Sequence, residues 1–198
     1  MNRLHRYVAD MDGRKIVPLF IAATSIFCVW SLDYLFTTWN ILLPWWMEGP
    51  SIVGLYGLSY SIFNERLWRL SFIRRILRIP DLRGMWRGYL QSSYDDFRSR
   101  IDATMEIRQN WTRMLITMQT QTSKGYSLGA MIITHGSDEM VLSFEYFNEP
   151  RTTAEDAMHM HRGTTRLAIA HDFQSLDGDY YTGRDRRNYG ILHFERVN

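Results

Sequence analysis

From Ile16 to Glu65 the chain carries not one lysine or arginine, a run of fifty residues in a protein that otherwise has 23 of them. That gap restricts the fold more than any other feature. Two apolar runs lie inside it, "IVPLFIAATSIFCVWSLDYLF" at 16–36 and "PSIVGLYGLSYSIFNERLWRL" at 50–70, the second reaching just past its end. The first is long enough to cross a hydrocarbon layer of about 30 Å as a helix. Pro18 falls in its first turn, where a missing N–H is tolerated. The run is long for a signal peptide and no small-x-small cleavage site follows it, so a retained helix is expected. The second run is more polar. Its Ser51, Gly54, Gly57 and Ser61 share a face, and small residues let membrane helices approach closely.

The charges around the gap set an orientation. Arg3, Arg6, Arg14 and Lys15 precede the first run, and Arg66, Arg69, Arg74, Arg75 and Arg78 follow or end the second. The intervening "TTWNILLPWWMEG" has none. The positive-inside rule therefore places both chain ends in the cytoplasm and the short connection outside, with Trp39, Trp45 and Trp46 in the outer aromatic belt. Asp33, near that outer end, is expected to snorkel to the headgroups. Residues 64–79 are expected to continue the helix out of the bilayer, with their arginines on anionic lipid. This makes residues 1–79 a transmembrane helical hairpin with a basic neck.

From residue 84 the pattern changes to period two, and turn residues recur about every ten positions. Eight strands are expected, at 84–92, 101–109, 111–121, 126–134, 139–148, 163–171, 176–182 and 189–196. Ile101, Ala103, Met105 and Ile107 alternate with Asp102, Thr104, Glu106 and Arg108, an apolar interior against a wet exterior. Eight meandering strands close into a barrel able to hold one small ligand. The expected fold is thus an N-terminal two-helix transmembrane hairpin followed by an all-β, eight-stranded antiparallel lipocalin-like barrel at 80–198. Gly84-x-Trp86 resembles the first-strand signature of lipocalins, in which the Trp plugs one barrel end. Arg196, in "ILHFERVN", is placed to pack across it.

Several classes are excluded or unsupported. The formal net charge of +2 gives no case for a protein that coats DNA or RNA. A single cysteine, Cys28, leaves no disulfide framework. His159-x-His161 near Asp156 lacks diagnostic metal spacing. No Ser-His-Asp set, phosphate loop or paired-carboxylate motif stands out, so the chain reads as a binding protein rather than an enzyme, with no cofactor.

The hairpin, the basic neck, "IPDLRGMWRGYLQSS" and the closing "LDGDYYTGRDRRNYGILHFER" together resemble the SMODS-associated, two-transmembrane, β-strand-rich effectors of bacterial CBASS anti-phage systems. The resemblance implies a protein of the bacterial inner membrane whose barrel binds a cyclic dinucleotide made after infection. It further implies that the protein then self-associates and disrupts the membrane, ending in abortive infection. The rival is a membrane-anchored lipocalin-like carrier of a small apolar ligand.

A ligand with two phosphates and two bases needs cationic or N–H donors and aromatic faces. The connections 93–100, 121–125, 149–162 and 183–188 lie at the barrel end away from Trp86 and form its mouth. The site residues expected there are Arg166, Arg186 and Arg187 for the phosphates, Tyr126, Tyr146 and Tyr180 for the bases, and Thr164 as a hydroxyl donor. Arg166 shares parity with Ala168 and Ala170, which suggests an interior position.

Overall fold

A computed structural model of the protein describes residues 4–9, 13–41, 44, 48–135, 139–151, 159–183 and 187–197. The chain divides into two units, residues 11–79 and the remainder, Met1–Asp10 with Pro80–Asn198.

The helical unit contains α1 (Gly13–Thr38), α2 (Glu48–Glu65) and the short α3 (Ser71–Leu77). The first two lie against one another. Val17, Ile21 and Ser25, one face of α1, are buried, as is Phe63 of α2. The rest of α1 displays bare apolar surface, with Leu19 and Phe20 each 71% exposed. Among the described residues one helix, Arg14–Thr38, is long and apolar enough to cross a membrane. The Gly, Ser and Tyr content of α2 keeps it below that standard. Its Ser51, Gly54, Gly57 and Ser61 are all exposed. Trp45 and Trp46 of the expected aromatic belt lie outside the described residues.

The neck is not one continuous helix. α2 ends at Glu65, a 3-10 turn covers Leu67–Arg69, and Leu70 is extended at φ −60°, ψ 131° before α3 begins. The break lies beside Trp68, which is buried to 1% exposure. A straight helix is a poor fit where a large ring two residues from the break must leave solvent.

The second unit is a closed antiparallel meander with one intruder. β2 (Gly84–Ser92), β3 (Ile101–Gln109), β4 (Arg113–Gln119), β5 (Ser123–His135), β6 (Glu139–Pro150), β7 (His161–Ile169), β8 (Ser175–Thr182) and β9 (Tyr189–Arg196) correspond to the eight expected strands. A ninth, β1 (His5–Ala9), was not expected, because its "HRYVA" was grouped by charge with the hairpin. It fills a gap. β4 and β5 pair only at Thr117–Gln119 with Lys124–Tyr126, then diverge at a bulge between Ser127 and Gly129. β1 enters between them, antiparallel to β4 at His5↔Met114 and parallel to β5 at Tyr7↔Ala130. The sheet order is β1-β4-β3-β2-β9-β8-β7-β6-β5, and the barrel closes. Without β1 two edges would stand open, and unpaired edges invite pairing with other chains. Polar contacts seat the strand. Ser127 Oγ lies 2.6 Å from His5 Nε2 and also accepts the Ile116 N–H at 2.9 Å. The boundary between the two units therefore falls at two places in the sequence, near residue 10 and near residue 80.

Buried Gln109 links these two places within the barrel. Its amide nitrogen donates to Tyr7 Oη (3.1 Å) and the Pro80 carbonyl (3.2 Å), and its oxygen accepts the Leu82 N–H (3.0 Å). One side chain thereby secures both β1 and the approach to β2.

The neighbouring end is closed by Trp86, fully buried. Its indole N–H donates to the Leu82 carbonyl at 3.0 Å. The Arg196 guanidinium, from the last strand, lies 5.1 Å from the ring centre and donates to the carbonyls of Asp81 and Arg83 at 2.8 and 2.7 Å. Gly84 opens β2 at φ +126°, a conformation in which a side chain is strained. The core above is filled by Met105, Ile107, Ile116, Leu142, Leu167 and Phe194.

Candidate functional site

Packing stops short of the other barrel end, leaving a cavity of about 610 Å³. Inward positions of β2, β3 and β4 contribute Leu90, Ile101 and Met118 to its wall. β6 gives Tyr146 and Asn148, β7 gives His161, and β8 gives Tyr180 and Thr182. Tyr94, Asp95 and Ser99, from the 3-10 turn and loop after β2, form part of the rim, with Thr122 and Asn188. These come from the connections expected to form the mouth. The volume lies within the range of small-ligand sites, roughly 300–1,000 Å³.

Two glycines shape the cavity. Gly163 stands directly across from Tyr146, and Gly190 across from Tyr180. A Cβ on Gly163 would meet the Tyr146 ring and its hydroxyl, and a Cβ on Gly190 would meet the Tyr180 ring. Each tyrosine therefore lies over a bare stretch of neighbouring strand. Aromatic cover of a strand glycine fixes ring orientation, and rings held against the wall leave the centre open. His161 packs edge-on to Tyr146 at 6.3 Å.

The rim is tied by local hydrogen bonds. Thr182 Oγ1 accepts the Asn188 N–H at 2.7 Å and donates to its carbonyl at 2.9 Å, pinning the base of the 183–188 connection. Thr120 Oγ1 accepts the N–H groups of Thr122 and Ser123. Asp95 Oδ2 accepts the Ser99 N–H at 2.9 Å, and hydrogen bonding from Ser99 holds the Asp95 carboxyl below its ordinary range. That side of the rim is negative at neutral pH. Among the described residues no lysine or arginine lines the cavity, and no group of three or more His, Cys, Asp or Glu side chains could hold a metal. His159 and His161 are described, whereas Asp156 is not.

Of the seven expected site residues, the structure brings Tyr146 and Tyr180 together in the cavity. Tyr126 turns its ring to Phe147 at 5.7 Å, one position out of phase with buried Gly125 and Ser127. Thr164 and Arg166 face outward, because the interior parity of β7 is Gly163, Thr165, Leu167 and Ile169. Ala168, taken as a marker of the interior, is exposed. Alanine is too small to decide a face, whereas Leu167 and Ile169 must be buried. Arg166 is paired in register with Asp179 and keeps its charge in solvent, avoiding the cost of a buried unpaired cation. Arg187 is exposed on the mouth connection, and Arg186 lies outside the described residues. Asn148 and the two glycines were missed. Asn148 was legible by parity, two residues after Tyr146 on the same strand. The glycines were not, since their role depends on cross-strand register.

A barrel plugged at one end and hollow at the other, with aromatic walls and a hydroxyl-rich rim, is a small-molecule receptor by geometry. The model of the Cap15 cyclic dinucleotide receptor domain matches residues 77–196, more than half the chain. The chain therefore belongs to the Cap15 family of CBASS effectors. It is 28% identical over 200 residues to CD-NTase-associated protein 15 of Yersinia aleksiciae, covering 99% of this chain and 92% of that protein. It is 26% identical over 187 residues to CD-NTase-associated protein 15 of Staphylococcus schleiferi, covering 93% and 94%.

Proposed function

We propose that the mouth cavity binds a cyclic dinucleotide and that binding drives copies of this protein to associate in the bacterial inner membrane and disrupt it, ending in abortive infection. The observation that carries this reading is the cavity itself, within the segment matched as a cyclic dinucleotide receptor. The bases enter it and stack on Tyr146 and Tyr180. Base–aromatic stacking contributes about 1–3 kcal/mol per base. The phosphates stay at the rim, beside Arg187, because the interior offers no cation among the described residues. This places the charged part of the ligand in high dielectric and the flat part against apolar wall.

In this reading α1 and α2 cross the membrane as a hairpin with both termini cytoplasmic. The bare apolar surface of α1 supports it, as do the arginines of the neck. The exposed small-residue face of α2, Ser51 to Ser61, is the surface on which hairpins meet. Ligand drives association only by binding the assembled form more tightly than the free form. The protein acts by binding and assembly, without turning over a substrate.

The test uses the full chain in detergent with radiolabelled cyclic dinucleotides, a fatty acid as competitor, and crosslinking in vesicles. Saturable nucleotide binding, indifferent to fatty acid and followed by crosslinked multimers that Gly54→Leu removes, is expected. Displacement by fatty acid would favour a carrier of apolar ligands.

A further inference from the structure

Between Glu65 and Asp81 the neck carries five arginines and no acid. The same stretch leaves large apolar side chains bare. Leu67 and Leu70 are exposed, as are Phe72 at 62% and Ile76 at 73%. Carried on as one helix with α2, these two kinds of residue would be mixed all round the axis. The break at Leu70 sorts them. At about 100° per residue, Phe72, Ile73, Ile76 and Leu77 fall on one half of α3, and Ser71, Arg74 and Arg75 on the other. Ile73 and Leu77 are half-buried, so the bare edge is Phe72 with Ile76, one turn apart, and Arg75 is exposed on the basic half. Arg78 ends the helix in the left-handed region.

We propose that α3 is an interfacial anchor. It lies along the cytoplasmic surface of the bilayer, with Phe72 and Ile76 among the acyl chains and Arg75 and Arg78 on anionic headgroups, instead of leading the chain straight out into water. This rests on the reading of α1 and α2 as membrane-spanning. Two observations commit the face to anionic lipid. Its charge is all of one sign, so an acidic surface complements it and the same face of a second copy would repel it. It also begins six residues after α2 ends at Glu65, where in that reading the chain leaves the hydrocarbon. Bare apolar residues beside arginines are the makeup of helices that lie in the headgroup layer. Seven residues are too few to make a stable helix in water. The tether to α2 supplies the local concentration that an isolated segment would lack.

Spin labels on the full chain, in vesicles of mixed phosphatidylcholine and phosphatidylglycerol, test this. With Cys28→Ser as background, single labels are attached through Phe20→Cys on α1 and through Phe72→Cys, Arg75→Cys and Ile76→Cys on α3. All four positions are exposed, so no label disturbs a packed core. Power saturation compares collisions with oxygen, which concentrates in the bilayer, and with a water-soluble nickel chelate. Oxygen should dominate for the α1 label and for those at Phe72 and Ile76, and the chelate for that at Arg75. Each arginine near an acidic surface favours it roughly fivefold, so in phosphatidylcholine alone the oxygen preference at Phe72 and Ile76 should fall by about that factor or more and hold on α1. An unchanged preference there overturns the commitment to anionic lipid. Chelate-dominated collision at Phe72 and Ile76, beside an oxygen-dominated α1, overturns the anchor and leaves the spanning reading standing. Weak collision with both reagents means that protein covers the face, and overturns the anchor too. A chelate-dominated α1 label overturns the spanning reading, and this inference with it.

Discussion

The two ends of the barrel are built from the same strands and do opposite things with them. At the closed end β2 and β9 place Trp86 against Arg196, and the polar groups find partners: the indole in Leu82, the guanidinium in the carbonyls of Phe173, Asp81 and Arg83, Gln109 in Tyr7, Pro80 and Leu82. At the open end the inward positions of neighbouring strands become Gly163 and Gly190, and Tyr146 and Tyr180 lie down across them. One end uses bulk and satisfied hydrogen bonds. The other uses missing side chains and tyrosines laid over the gaps they leave. The difference separates a part made for stability from a part made to take something in.

The comparison breaks most visibly at Trp86. Trp86→Ala removes a fully buried ring and should cost about 3–5 kcal/mol, lowering the melting temperature by roughly 10 °C or more. Thermal denaturation of the full chain in detergent reads this directly. A shift of only a degree or two would mean the closed end is not the stable one. Gln109→Ala should cost about 1–3 kcal/mol by leaving Leu82 and Tyr7 without their partner. It should also speed hydrogen exchange at residues 7–9 more than at β7, because β1 is the strand it holds.

At the open end the order of effects reverses. Tyr180→Ala should weaken cyclic dinucleotide binding about tenfold or more while the melting temperature changes less than for Trp86→Ala. Equal loss of stability from both would erase the distinction.

The smallest effect lies on the outer wall, midway between the ends. His193 Nδ1 is 2.5 Å from Asp177 and Nε2 is 3.6 Å from Glu195, with Tyr89 beside the ring and Arg100 over Tyr89. The hydrogen bond to Asp177 raises the His193 pKa most; desolvation lowers it by less, and the charge of Asp177, then Glu195, raise it further. A raised folded pKa means the folded state binds the proton more tightly. The stabilisation is therefore complete below the unfolded value of about 6.5 and fades as pH rises through the folded value. For a part-exposed pair it should be below about 1 kcal/mol. Melting curves across that window should lose this slope in His193→Gln, and an unchanged slope would assign it elsewhere.

How much of this was legible depended on whether a feature is local. Gly84-x-Trp86 and the closing "FER" are local patterns, and their pairing follows once the meander closes. The first, second and last of the eight strands match their expected limits because polar–apolar alternation is strong there. β1 was hidden since five residues before an apolar run read as flanking charge, and its place depends on a bulge 120 residues away. Arg166 was misplaced because alanines were allowed to vote on the interior. The tyrosine–glycine pairs require register between strands, which no single segment carries.

The central claim is that ligand enters the end opposite Trp86. Hydrogen–deuterium exchange on the full chain, with and without the tightest-binding cyclic dinucleotide, locates the contact without any substitution. The account predicts new protection at 92–101, 146–148, 161–163 and 180–190, and none at the indole end, 81–86 with 109. Protection confined to the outer wall or to the Trp86 end would contradict it.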